Sequence, residues 1–450
     1  MVAGSSREGG GIRKATLFQW HSWMGLNLGL LLFIACLSGT VATLSAEIDW
    51  LFNPALRAPG ATGAPPDWNG WYRAVRTAHP EADIRALSAP AADGWAAAVT
   101  IAERGDVLRL VLVHPETAVV QGTVSAFTVA RFFRAFHKQF YIYPGALPHG
   151  VYVVGPLGLV LFASVVTALL FYRMRWKDAL LRQRSRNART FWSTLHRATG
   201  VWAAVFSLLF AVTGVWYLYE RIVIDLGLVG GSVIEASGSS GEASAVDIDL
   251  DEAARLASRE VPGLDVRSIF VRSGNEPRLT LVGQTDAWLV RDAANRVVVD
   301  PERLEVLNAT HAAEMSLGLR LGHTMDPLHF GNFAGLGVKL LWFVAGLLIS
   351  VAILIGVRIW SLRTAARRRP AEPGVTMGSL SATLVVLAVT AYGCVVNIGS
   401  SVSTAAGASL VPVYVWLVVG GFFVVTLATT LWWHLALLGR SGTPVSIESH

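Results

Sequence analysis

Six stretches of the chain, near residues 24–46, 150–172, 199–219, 335–357, 378–398 and 411–435, are apolar and almost free of charge. Each is close to the roughly 20 residues that carry a helix across about 30 Å of hydrocarbon, so the pattern predicts six spanning helices. Two long hydrophilic stretches, 47–149 and 220–334, interrupt the series after the first and third spans. In each, a helix-like segment, WYRAVRTAH (71–79) or DEAARLASRE (251–260), precedes short β-rich runs such as RLVLVH (109–114) and RLTLVG (278–283). The expected fold class is therefore an all-α membrane bundle of six transmembrane helices with two small α+β domains outside the bilayer. The expected order is an N-terminus and first span (1–46), a first domain (47–149), a second span (150–172), and a basic loop with the third span (173–219). A second domain (220–334), a fourth span (335–357) and a segment holding the last two spans (358–450) complete it.

Composition agrees, since 450 residues that are 53% hydrophobic and 15% charged describe an integral membrane protein. Arginine and lysine set its orientation, because basic short loops resist translocation. Arg7, Arg13 and Lys14 precede the first span, YRMRWKDALLRQRSRNAR (172–189) follows the second, and VRIWSLRTAARRR (357–369) follows the fourth. These segments and both termini are expected in the cytoplasm, with the hydrophilic domains on the opposite face. The first apolar run is too long for a cleavable signal and reads as a signal anchor. The net charge of +6 is carried largely by those loops, which removes nucleic acid from the expected partners and leaves the lipid bilayer. Cys36 and Cys394 both lie in apolar runs, so redox chemistry in this chain needs a cofactor.

The chain also resembles itself. His21-x3-Gly25 with Ser38-Gly39 matches His196-x3-Gly200 with Thr213-Gly214 at the same internal spacing. RTAHPEADIRAL (76–87) resembles SREVPGLDVRSI (258–269), and VHPETAVV (113–120) resembles VDPERLEV (299–306), which points to an internal duplication. His21, Gly25 and Gly29 lie on one helix face, and His196, Gly200 and Ala204 repeat it. Close helix packing explains Gly25-xxx-Gly29 taken alone. It does not explain two equivalent imidazoles at the mouths of membrane helices, which need partners there. A histidine above a groove of small residues suits a porphyrin lying along the helix, and His21 and His196, at one depth, could share one iron.

Across residues 15–360, through HSWMGLNLGLLLFIACLSG, HRATGVWAAVFSLLFAVTG and DPLHFGNFAGLGVKLLWFVAGL, the sequence resembles the PepSY-associated transmembrane protein family. Residues 371–450 lie outside the resemblance. It implies PepSY-like extracytoplasmic domains flanked by paired spans. Because the family includes bacterial inner-membrane ferric-siderophore reductases, it also implies two b-type haems, with His21, His196, His137, His329 and His323 as candidate iron ligands and Gly25 and Gly200 beside them.

On the far side the partner of His137 is ambiguous. Carrying the 186-residue offset of the VHPE/VDPE match forward selects His323, whereas the LHFG pattern selects His329; His149 is a spare, and His79, His114 and His311 read as surface residues. A helical rise of about 1.5 Å per residue sets Ser38 and Thr213 some 25 Å from the first histidine pair, the spacing of a two-haem wire. Trp20, Trp23, Trp192, Trp202 and Trp342 read as interfacial belt residues. With no HExxH, GxSxG, Walker or GxGxxG motif, the electron donor must be external, either a quinol or a cytoplasmic flavoprotein docking on the basic loops. Arg131, Arg134, Lys138, Tyr141 and Tyr143 could receive a ferric siderophore or other ferric chelate, or could touch lipid headgroups. Two functions follow: a haem-dependent ferric-chelate reductase, or a haem-free PepSY-domain protein that binds peptides, proteases or polymers. A transporter fits less well, because the spans carry no obvious buried ion pair.

Overall fold

The computed structural model describes residues 14–103, 107–142, 150–172, 187–228, 248–272, 277–367, 373–402 and 411–438. Its helical part holds α1 (Lys14–Asn27), α2 (Gly29–Thr43) and α3 (Ser45–Phe52) at the start of the chain. Later come α6 (Val151–Phe171), α7 (Ala188–Asp225), α10 (Gly335–Arg367), α11 (Pro373–Val402) and α12 (Val413–Leu438). Five of these, from α6 onward, are long and apolar enough to cross a membrane, and α1 with α2 makes a sixth if the bent pair is one span. This is a multi-pass membrane protein, with spans where the apolar runs place them.

The first span departs from a regular helix: α1 and α2 meet at Leu28 with a bend of 67°. Asn27 turns its side-chain amide back to the Trp23 carbonyl at 2.8 Å, and a Cβ on Gly29 would come within 3.0 Å of the Trp433 ring. An Asn-Leu-Gly sequence with an indole pressed on the glycine is a local cause of a kink. α7, with Val201-Trp202-Ala203-Ala204 at the corresponding place, runs unbroken for 38 residues, about 57 Å at the usual rise.

The hydrophilic stretches contribute their strands to a shared sheet. α4 (Trp68–Ala78) and β1 (Asp83–Ser88), β2 (Ala97–Glu103), β3 (Val107–Val113) and β4 (Val120–Ser125) come from the first stretch. α8 (Leu250–Glu260) and β5 (Asp265–Arg272), β6 (Arg278–Gln284), β7 (Asn295–Asp300) and β8 (Glu305–Thr310) come from the second. All eight strands form one antiparallel sheet in the order β4-β3-β2-β1-β5-β6-β7-β8, which has the same connectivity read from either edge. The seam is the β1–β5 ladder, Ala86 opposite Phe270, Leu87 opposite Ile269 and Ser88 opposite Ser268, whose hydroxyls are 3.1 Å apart. Alternate strand residues, among them Leu87, Val99, Val111, Ile269, Leu281 and Val297, meet Trp71 and Val75 of α4 and Ala253 and Ala257 of α8 in one buried core. Those two helices meet at their N-termini. Asp67 and Asp249 cap α4 and α8, and the Trp68 and Leu250 amides donate across to Asp251 at 3.0 Å and Asn69 at 2.8 Å. Acidic groups at two converging helix N-termini are favourable with the helix dipoles.

Two further helices connect the sheet to the bundle: α5 (Val129–Gln139) after β4, and α9 (Leu317–Phe330) after β8. The Phe132, Phe133 and Phe136 rings of α5 lie 6.3, 5.1 and 5.2 Å from that of Phe422 in α12. Lys339, near the start of α10, holds Glu47 of α3 at 2.5 Å, an ion pair at a span end that the sequence reading did not anticipate.

Candidate functional site: two pairs of imidazoles

His21 on α1 and His196 on α7 face each other with ring centroids 6.4 Å apart. His137 on α5 and His329 on α9 form a second pair at 5.8 Å. In all four the Nδ1–H is committed. That of His21 donates to the Ser164 carbonyl of α6 at 3.0 Å, and that of His196 to the Ala352 carbonyl of α10 at 3.0 Å. His137 donates to the Ala35 carbonyl at 2.9 Å, with the Ser38 hydroxyl at 3.4 Å. His329 meets the Thr213 hydroxyl at 2.7 Å, and because that hydroxyl spends its own proton on the Leu209 carbonyl at 2.8 Å, it accepts from the imidazole. A neutral imidazole protonated on Nδ1 keeps its lone pair on Nε2, the arrangement that a second-shell carbonyl imposes on a metal-ligating histidine. The correspondence extends to detail: Ser38 and Thr213, matched in the sequence, attend the second pair in their respective halves.

His323 is oriented for another purpose. Arg291 donates to its Nδ1 at 2.8 Å, which places its proton on Nε2, the reverse tautomer, and Arg291 continues to Glu220 at 3.1 Å. The structure brings His329, not His323, to His137. The offset argument fails because His137 lies 12 residues beyond Ser125, the end of β4, whereas His329 lies 19 beyond Thr310, the end of β8. The second half has an extra short turn, Ala312–Glu314, and a longer helix in that interval. His149 and Tyr143 lie outside the described residues. His79 contacts Thr123 at 3.0 Å, His114 accepts from backbone amides of its own turn, and His311 lies 3.9 Å from Glu314. None of the three joins either pair.

Burial, together with the Arg291 guanidinium beside it, pushes the His323 imidazole down to about 4. Its unfolded value is about 6.5, so below that pH the unfolded chain takes the proton first. The contribution of neutral His323 is complete above pH ~6.5 and is lost as the pH falls from there toward the folded value. His323→Gln keeps an acceptor for Arg291 and should flatten that part of the profile. Thermal midpoints in detergent between pH 7.5 and 4.5, compared for wild type and variant, check this; equal slopes would show that His323 is not the titrating group.

Several positioning residues were not legible in the sequence. A Cβ on Gly39 would lie 2.7 Å from Cε1 of His137, so only glycine lets that ring rest against α2. Gly331 closes α9 at φ 65° against the Trp342 ring, and Trp342 donates to the Leu328 carbonyl at 2.8 Å, fixing the turn that carries His329. Trp342, 8% exposed, is buried and anchors the site from within. Asp49 of α3, 4% exposed, accepts from the Val129 and Ala130 amides at 3.0 and 2.8 Å and from the Tyr414 hydroxyl at 3.0 Å. It holds the start of the helix that carries His137.

A bare metal ion needs more protein ligands than either pair provides, and among the described residues no group of three or more His, Cys, Asp or Glu side chains converges. Two imidazoles trans across one metal, each bound at about 2.0 Å, would set their ring centroids roughly 6 Å apart, close to both observed spacings. Beside the first pair, Gly25 and Gly200 have nothing within 4 Å of the position of a Cβ, whereas Gly29 is covered by Trp433, so the small-residue groove is open at Gly25 and closed one turn on. Paired imidazoles and open glycines would fit a haem held by two histidines.

A bundle of apolar spans joined to an extramembrane antiparallel sheet, with histidines paired between helices, defines a class of multi-pass membrane protein. The chain belongs to the PepSY-associated TM region family, whose match covers residues 18–363. That match holds both histidine pairs and excludes α11 and α12. No curated protein matches the chain.

Proposed function

We propose that this protein is a haem-dependent membrane oxidoreductase that carries electrons across a bacterial inner membrane and reduces ferric siderophores or other ferric chelates at the periplasmic face. The observation that carries the reading is the set of four Nδ1-anchored imidazoles in two facing pairs, each with Nε2 left for a metal. Two b-type haems bound there would supply reversible one-electron chemistry. The protein's part is to fix tautomer and ring orientation through Ser164, Ala352, Ala35 and Thr213, so that His21 with His196 and His137 with His329 would hold the haems without leaving the iron to substrate. In the second half the sites lie about 25 Å apart, taking the rise from His196 to Thr213, so one serves each membrane face.

The same proposal includes six spans, an internal duplication about the β1–β5 seam, cytoplasmic termini and a periplasmic sheet. The basic loop 173–186, expected to meet a flavoprotein donor, lies outside the described residues, and a quinol donor is equally compatible.

The test begins with colour. Purified protein should show a Soret band and a dithionite-sensitive α band with about two haems per chain. After reduction, a ferric hydroxamate siderophore should reoxidise it while a ferrous-specific dye traps iron. A colourless protein, or one that stays reduced for minutes with several chelates, would leave the haem-free binding protein as the function.

A further inference from the structure

We infer that the open groove between α5 and the sheet is the substrate site, and that it selects ferric chelates bearing net negative charge; this rests on the reductase reading above. The groove has a volume of ≈ 450 Å³, within the usual range of about 300–1,000 Å³ for small-molecule sites. Thr100 and Leu110, cross-strand neighbours on β2 and β3, form its floor, and Arg131, Arg134 and Lys138 line its side. Spacings of three and four residues set these cations on one face of α5.

Arg109, Arg221, Arg291 and Lys339 are each paired with a carboxylate, whereas Arg131, Arg134 and Lys138 pair with none among the described residues. No acidic side chain lines the groove. Three uncompensated cations around an open concavity repel a cationic ligand and attract an anionic one.

Position links the groove to the second imidazole pair. Lys138 follows His137 directly, and the Arg134 guanidinium lies 5.1 Å from the Phe330 ring, itself 5.6 Å from the His329 ring. A chelate seated there is within about one helix diameter, 10–12 Å, of the pair. The step is a single electron passing from the reduced protein to Fe(III), giving Fe(II), with no bond in the protein made or broken. The complex becomes more negative by one charge, so the same cations stabilise product over substrate and favour transfer in that direction.

Gallium(III) chelates separate binding from reduction, because gallium accepts no electron. Calorimetry on the detergent-solubilised full chain should show gallium citrate binding, weakened by salt and by roughly tenfold in the Arg131→Gln/Arg134→Gln/Lys138→Gln variant. A neutral gallium trihydroxamate should show no such dependence. Unchanged thermal midpoints establish that the variant folds; if it does not, Arg131→Gln alone, an exposed substitution, should still weaken citrate binding two- to threefold. Equal citrate binding by variant and wild type overturns the groove assignment. So does failure of wild type to bind citrate in zwitterionic nanodiscs while the three cations retain anionic lipid instead. A colourless protein that binds gallium citrate through these residues would keep the anion site and end the reductase reading; a red protein that reduces chelates regardless of the three cations would do the reverse.

Discussion

His137→Ala and His329→Ala are each expected to leave the purified protein with about half of its haem, and the double variant should lose no more than either single one. The reason is geometric: the two rings, 5.8 Å apart, would share one iron, while the other pair is carried by α1 and α7. His21→Ala and His196→Ala should remove the complementary half, so a variant lacking one histidine from each pair should be colourless. Pyridine haemochrome quantitation reads the stoichiometry. Full haem retention in any single variant would break that pair, and loss of further haem in the His137/His329 double variant would mean that the two histidines serve different irons. His323→Ala should keep both haems, because that imidazole offers its Nδ1 lone pair to Arg291.

Asp49→Ala should lower stability by about 3 kcal/mol, since the buried Val129 amide, the half-buried Ala130 amide and one tyrosine hydroxyl lose their acceptor and each orphaned buried group costs about 1–3 kcal/mol. Asp49→Asn, which keeps one carbonyl oxygen, should lose less. The loss should also be local. Hydrogen exchange at Val129 and Ala130 should accelerate, while the seam amides of Leu87 and Ile269 should keep their protection. Uniform acceleration across bundle and sheet, or none at α5, would show that the carboxylate does not hold that helix.

The spans were legible because hydrocarbon thickness imposes a length that composition alone reveals. His21 and His196 were legible because an imidazole at a membrane helix end is costly enough to need a reason, and the two match each other at the same spacing. The choice between His329 and His323 was not settled by spacing, since an insertion between β8 and α9 shifts the offset without any compositional mark. Only the hydrogen bonds, with opposite tautomers at the two residues, decide it. The contact of Trp433 with Gly29 beside the bend joins residues hundreds of positions apart, and Asp49 reads in sequence as one more acid after a span. The joining of the two hydrophilic stretches in one sheet was not legible for a related reason: strand pairing between β1 and β5 is a long-range contact, and neither strand carries a local sign of its partner.

The seam has a mechanical and a historical consequence. A polypeptide ending before α7 would present β1 as a bare edge, with Leu87 at its centre and a row of open amides and carbonyls, an invitation to another strand. The obvious occupant is the same edge of a second copy, joined antiparallel about a two-fold axis. Joining two such copies in tandem would make that encounter intramolecular and would let each half diverge separately. In this chain the eight strands act as a crossbeam. By tying the two halves together above the bilayer, it limits how far α5 and α9 can separate, and with them the gap between His137 and His329.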